Sequence, residues 1–471
     1  MARFPLASCW ALISCNLLMA TALPRRGRVD VTVVRVADNT TDVPGGARGA
    51  FTFFSAPRCS GGSAYFVGSP DSGEGGIFNA ALAGTLPPAS IGITVKTGPP
   101  HWASQLPGAP DGATIFQIGD WAGGPEGLAF VALPQANQDQ NLARLVISVD
   151  GTLSSVADMQ SKLPDGGTVA KFVPTDAPGV VGHAVAFHAV STAGADGWWL
   201  TAPSAKANGA PTITKIVDNS TTMPIAGAPR FHSFEGSMAM ASDGSLSAFF
   251  ANNGLRMTDP NARTGIFSWT KATGELACVA NNNDTMVPDL DDSWRFNGFG
   301  GVSASTTGAI CFMAEAANGR EPVHVGIWCK GVTTSESSGA NARTRTNAND
   351  LLTIADSTML IPGSPDGEKF QYLEYPSVSP DGSTVVFQGN DQLGRRGVYA
   401  VVVGGPVIKL FDWQDKIAGQ EVFNIQLNHE SFDGKSVSIF VAFRNLNEGI
   451  YSILLASDRA AASGNVDYIQ K

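Results

Sequence analysis

Seven times along the chain a short apolar run closes on an Asp, Asn or Thr, and the spacing of those closures restricts the fold more than any other feature. The runs end at Asp38, Thr97, Asp158, Asp218, Asn281, Asp356 and Asp412, in steps of 59, 61, 60, 63, 75 and 56 residues. A steady period of this length is the mark of a repeat architecture, in which each unit buries its apolar face against the next. The longest step contains an insert at 333–349, rich in Ser, Thr, Asn and Gly, which reads as a surface loop.

Each period holds four strand-like runs. In the sixth copy they are 370–378, 384–388, 397–403 and 406–411, and Ser379-Pro380-Asp381-Gly382 makes the turn after the first. Short β-branched and aromatic runs joined by hairpin-length turns, four to a repeat, describe the blade of a β-propeller. The seventh copy stops after its third run, at 449–455, and residues 29–36 near the N-terminus form a fourth run without a copy of its own. The expected fold is therefore all-β: a seven-bladed propeller of four-stranded blades over 23–456, with the N-terminal strand completing the last blade. Such a closure leaves no open edge to aggregate. Two separate β-domains are the competing reading, and the even period speaks against it. Residues 457–471 are polar and read as a tail.

Ser-Pro-Asp-Gly before a strand that ends in an aromatic, followed by Gly397-Val398-Tyr399, resembles the TolB-type propeller repeat. Ala241-Ser242-Asp243-Gly244 and Ser431-Phe432-Asp433-Gly434 match it, whereas the other four copies have lost the Asp-Gly. The resemblance implies a propeller over nearly the whole chain and implies no single activity, because propellers serve as binding proteins, scaffolds and regulatory domains of hydrolases.

The start reads as a secretory signal, with Arg3, an uncharged apolar stretch over 5–20 and Ala20-Thr21-Ala22 as cleavage site, giving a signal peptide over 1–22. No later stretch reaches 18 apolar residues, so no membrane span is expected. A net charge of −10 disfavours nucleic acid and anionic lipid as partners. Secretion permits disulfides. Cys311 and Cys329 fall on neighbouring strands of one hairpin, and folding it about 318–321 sets them opposite each other, so this pair is the expected bridge. Cys59 and Cys278 lie in different copies and are expected to stay reduced.

The sites of chemistry are few. The repeated Asp reads as a turn former that accepts amides two residues on, with a ring of cation-binding carboxylates as the alternative. Asp284, Asp289, Asp291 and Asp292 form the densest oxygen cluster, and calcium is the cation such oxygens would take, although the spacing is not that of an EF-hand. Connections from fourth to first strand and from second to third share one face, which would gather His188, His232 and Glu315 there as candidate catalytic groups. The sequence has no HExxH and no GxSxG. The sequons at Asn39, Asn219 and Asn283 all follow the repeated Asp, on that same face, and are candidate glycosylation sites.

The reading that fits these features is a secreted, monomeric propeller without a cofactor that binds a carbohydrate or an extracellular protein partner. An extracellular polysaccharide lyase or hydrolase with its site on the loop face, and a structural matrix protein, are the alternatives.

Overall fold

The computed structural model describes residues 31–455, apart from 46–48, 83–90, 100, 111, 125–126, 135–141, 203–210, 228, 256–258, 260, 320–321, 336–343, 347–350 and 365–366. The expected signal peptide at 1–22 and the expected tail at 457–471 lie outside the described residues. Every blade is one antiparallel sheet, and there are seven. The innermost strands are Phe53–Phe54 with Arg58–Ser60, Gln117–Gly124, Val169–Phe172 with Gly179–Val181, Ser233–Met240, Arg295–Ala304, Tyr372–Val378 and Gln420–Gln426. The N-terminal strand Thr32–Asp38 pairs with Glu448–Leu454, running from Thr32 opposite Leu454 to Asp38 opposite Gly449, and so supplies the outer strand of blade seven. The insert departs from the loop reading: Thr333–Ser335 pairs with Thr344–Thr346 as a small hairpin. No described helix is long and apolar enough to cross a membrane.

The period is a packing period. Seven hydrophobic clusters fill the seven spaces between adjacent blades. Phe387 and Tyr399 of blade six pack with Ile327 and Ala355 of blade five, and Phe66 and Phe78 of blade one pack with Phe440 and Ile450 of blade seven. Each such side chain fully removed from water contributes roughly 1.5–3 kcal/mol, so a blade without its neighbour has an apolar face it cannot cover.

The recurrent Asp marks a recurrent bulge. In all seven blades the pairing of third and outer strands slips by one residue, for example between Arg35 and Ala37 and between Ser155 and Ala157. The Asp just beyond it closes a turn. Asp38 Oδ1 accepts from the Thr40 amide at 3.0 Å, Asp158 Oδ1 from Gln160 at 3.0 Å, and Asp218 Oδ1 from Ser220 at 3.0 Å. Asn281, Asp356 and Asp412 do the same for Asn283, Thr358 and Gln414. These oxygens are spent on the backbone, which is the turn-forming role.

Outer-to-inner connections and second-to-third turns share one face of the ring, called here the entry face because each inner strand starts from it. Inner strands end on the opposite, exit face. This follows from the strict up-and-down order within each sheet.

Candidate functional site

The inner strands are interrupted in their middles, and the interruptions build the site. Pro57, Gly119, Pro174, Gly236, Gly301 and Pro376 stand at corresponding places in six blades. The pairing with the second strand slips between Ile118 and Trp121, Glu235 and Ala239, Gly300 and Val302, and Glu374 and Ser377. Proline removes a ladder donor, and a bulge re-aims side chains, so these edges turn residues toward the central channel. Neighbouring blades are stitched there as well: the Asp120 amide donates to Pro174 C=O at 2.6 Å, and the Leu427 amide to Gln388 Oε1 at 2.9 Å.

A group of ionisable side chains meets where blades seven, one and two adjoin. Arg58 is fully buried with its guanidinium over the Trp121 ring, 4.8 Å from its centroid. Its Nη2 donates to Asp120 Oδ1 at 3.0 Å, and its Nη1 lies 3.6 Å from Glu430 Oε2. Glu430 leaves 25% of its side chain open, yet Oε2 is sealed from solvent and without a hydrogen bond. Burial therefore pushes the Glu430 carboxyl up to about 7, against the pull of Arg58. Burial, with Arg58 nearby, pushes His429 down to about 4, and its ring packs edge-on to Tyr375 at 5.2 Å between centroids. Tyr375 and Glu430 both hold positive φ, 52° and 58°, a backbone state that costs a non-glycine residue about 1 kcal/mol or more.

Nearer the entry face, a polar recess of about 310 Å³ opens between blades six and seven, lined by Glu374, Gln388, Arg396 and Asn428 among others. Gln388 Nε2 donates to Glu374 Oε2 at 3.0 Å and Arg396 Nη1 to Asn424 Oδ1 at 3.4 Å, so these planar groups are held in place.

The large apolar side chains that are exposed gather on the entry face around it. Among the described residues eleven large hydrophobic side chains are exposed, and ten of them sit on this face. Phe53 (52% exposed), Phe116, Tyr372 and Phe423 (68%) stand where four consecutive inner strands begin. Leu255, Met286, Val323, Leu360, Leu393 and Leu446 occupy the loops, and Val402 alone lies on the exit side.

The residues singled out from sequence lie elsewhere. His188 is buried in blade three, its Nδ1 2.5 Å from Asp176 Oδ2 and its Nε2 2.7 Å from Asp196 Oδ1. Burial depresses its pKa, but hydrogen bonds to the two carboxylates outweigh that and raise it, and the ring ties three segments of the blade together. His232 is exposed at the start of the blade-four inner strand, and Glu315 is half-buried in blade five opposite Gly298. Among the described residues no hydrogen bond, ion pair or ring contact joins any two of His188, His232 and Glu315. In the acidic loop, Asp291 Oδ1 accepts from the Ser293 amide at 2.8 Å, the Asp284 amide donates to Asn281 Oδ1 at 2.7 Å, and Asp289 holds a φ of 62°. The Asp292 carbonyl accepts from Arg295. No group of three or more His, Cys, Asp or Glu side chains gathers as a metal site among the described residues. Asn39, Asn219 and Asn283 lie on the entry face beyond the outer strands, and Asn219 Nδ2 donates to Gly194 C=O at 3.4 Å. Cys311 stands opposite Cys329 with Cα atoms 4.1 Å apart, and the two are joined as a disulfide, whereas Cys59 and Cys278 are free thiols.

Arg58, Asp120, Tyr375 and Glu430 carry no sequence motif. The signal that points to them is the Pro or Gly recurring inside otherwise regular inner strands, which marks where each edge breaks.

No protein-family model and no curated protein matches the sequence. Solved structures similar to the chain include one from a study of two prolyl endopeptidases, 12% identical with a TM-score of 0.43, covering 83% of this chain and 46% of that one. TolB from Acinetobacter baumannii is 10% identical with a TM-score of 0.35, covering 85% of this chain and 78% of its own. The BP39L lectin from Burkholderia pseudomallei is 12% identical with a TM-score of 0.35, covering 88% and 97%. The chain thus spans about half the length of the endopeptidase it resembles, 46%. TolB-type propellers are among its structural neighbours, together with proteins named for other activities, and at these identities the likeness is one of fold.

Proposed function

We propose that the protein is a secreted binding propeller that docks an extracellular protein partner on its entry face. The observation that carries this reading is the segregation of exposed large apolar side chains, ten of the eleven among the described residues on one face. Single exposed hydrophobics are ordinary, but their collection on one surface marks an interaction site. Between a carbohydrate and a protein, the composition of the patch decides. Leu, Met and Val make up six of the ten, and these offer no flat ring face for a sugar to stack on. They suit an interface core in which aromatic anchors are ringed by aliphatic contacts. The recess lined by Glu374 and Arg396 would receive a polar side chain from the partner.

A photo-crosslinking residue placed at Phe423, with the same residue at Val402 on the exit side as control, tests this in extracellular fluid of the source organism. The expected result is a discrete protein adduct from position 423, absent from 402 and lost on adding Leu393→Asp and Leu446→Asp. Equal adducts from both positions, no adduct from 423, or retardation of the protein by a polysaccharide in affinity gels that Phe53→Ala abolishes would overturn it.

A further inference from the structure

The exit end of the channel holds a second, separate cavity, about 280 Å³ in volume and lined by residues of all seven blades. Ser60, Ser377, Met240 and Phe432 contribute to its wall, and its charged groups are Glu430 and Asp433, with no Lys, Arg or His among the lining residues. Asp433 is fixed: its Oδ2 accepts from the Gly62 amide at 3.1 Å and its Oδ1 from the Lys435 amide at 3.0 Å. Glu430 is fixed as well, by the Cys59 amide on its carbonyl at 2.8 Å and by its left-handed backbone.

We propose that this cavity binds a small organic cation, an ammonium carried on an apolar body, with the charged nitrogen against the Glu430 carboxylate.

The charge balance points to that class. Among the described residues Arg58 is the one cation in contact with Glu430, and it is shared, 3.0 Å from Asp120 and 3.6 Å from Glu430. One guanidinium thus serves two carboxylates while Asp433 adds a third at the mouth, in a partly desolvated cleft where Coulomb terms are strengthened. A ligand that brings its own cation restores the balance, and an anion meets two carboxylates. The remaining wall is small hydroxyls and apolar surface, and the apolar part of it suits a hydrocarbon body. The two carboxylates alone supply too few oxygens for calcium. The backbone strain held at Glu430 fits a site shaped for use, since such strain persists where surrounding structure enforces it.

Calorimetric titration of the full mature chain at mildly alkaline pH tests the inference, using n-hexylamine and phenethylamine as probes, with n-hexanol and hexanoate as neutral and anionic controls. The amines are expected to bind about tenfold or more tightly than either control, and Glu430→Gln to weaken amine binding by about tenfold or more, the loss of one charge-assisted bond. Ser242→Trp, which puts an indole into the mouth and leaves Glu430 in place, is expected to abolish amine binding while the circular-dichroism melt stays that of the parent. Hexanoate binding as tightly as hexylamine, amine binding unchanged in Glu430→Gln or in Ser242→Trp, or no amine binding by the parent chain would each overturn the proposal.

Discussion

The backbone amide of Cys59 donates to the carbonyl of Glu430 over 2.8 Å, across the seam where the last blade meets the first. At the outer edge of the same seam, Thr32–Asp38 pairs with Glu448–Leu454. The ring is therefore locked at both radii, and the hydroxyl of Ser431 adds a third tie by donating to Pro57 C=O at 2.9 Å. The inner lock also places Glu430 beside Arg58, so the element that closes the fold assembles the charged centre of the channel.

Removing residues 31–38 is expected to abolish the native ring. The strand buries Val33, Val34 and Val36. At roughly 1.5–3 kcal/mol for each, the loss is about 5 kcal/mol or more, comparable to the whole net stability of a typical domain. The open edge on Glu448–Leu454 then invites association. Size-exclusion chromatography and thermal melts should show aggregates without a cooperative transition, and a monomer that melts like the parent contradicts the closure argument.

His188→Gln is expected to destabilise the protein by about 3–5 kcal/mol, because it leaves Asp176 and Asp196 facing a neutral group in a buried site. The pH dependence carries a sign. The pKa of His188 is raised above its ordinary 6.5 in the folded protein, so its contribution is complete below 6.5 and is lost as pH climbs through the folded value. Denaturation midpoints measured across that range should fall with rising pH in the parent and lose this component in the variant.

The parts of the fold that could be read from the chain are those carried by local chemistry. Asp38 and its counterparts recur because a bulge and a turn recur there, and Ser379-Pro380-Asp381-Gly382 marks a hairpin by its own residues. The candidate site was hidden because it depends on breaks and on closure. The run 370–378 reads as one strand, whereas Tyr375 and Pro376 bulge out of it. Arg58 and Glu430 sit at opposite ends of the sequence and meet only when the ring shuts. Likewise, the face that His188 occupies can be inferred from strand order, but its two partners cannot, since Asp176 lies in the break of the blade-three inner strand.

Glu430 should make the protein less stable as pH rises. Its carboxyl ionises at about 7 in the fold against an ordinary 4.5, so the neutral form is favoured in the folded state. Stability from this group is complete below 4.5 and is lost as pH rises toward 7, by about 2–3 kcal/mol after allowance for its partial exposure. Glu430→Gln, which cannot ionise, is expected to flatten the curve in that window and to melt higher than the parent above it. A parent curve that rises through the window, or a variant with the parent's slope, would show that burial does not govern this carboxyl.

The last expectation concerns Cys311 and Cys329, which face each other across the second and third strands of blade five and are both fully buried. Because the bridge joins residues 18 apart in sequence, it constrains a short loop of the unfolded chain, an effect of about 3 kcal/mol. It also caps the hairpin next to the insert that carries Thr333–Ser335, where the outer strand Leu351–Asp356 joins late. Cys311→Ser with Cys329→Ser buries two hydroxyls where the sulfurs stood, so part of the measured loss would come from unpaired polar groups. Cys311→Ala with Cys329→Val avoids that and isolates the cross-link. Urea denaturation of this variant should give a stability lower by about 3 kcal/mol with the folded far-ultraviolet spectrum unchanged. Peptide mapping of the non-reduced protein should yield one linked pair, with Cys59 and Cys278 alkylated only after unfolding and on the native protein, respectively, as their buried and half-exposed positions require. Four alkylatable thiols, or a peptide joining Cys59 to either strand cysteine, would rule the bridge out.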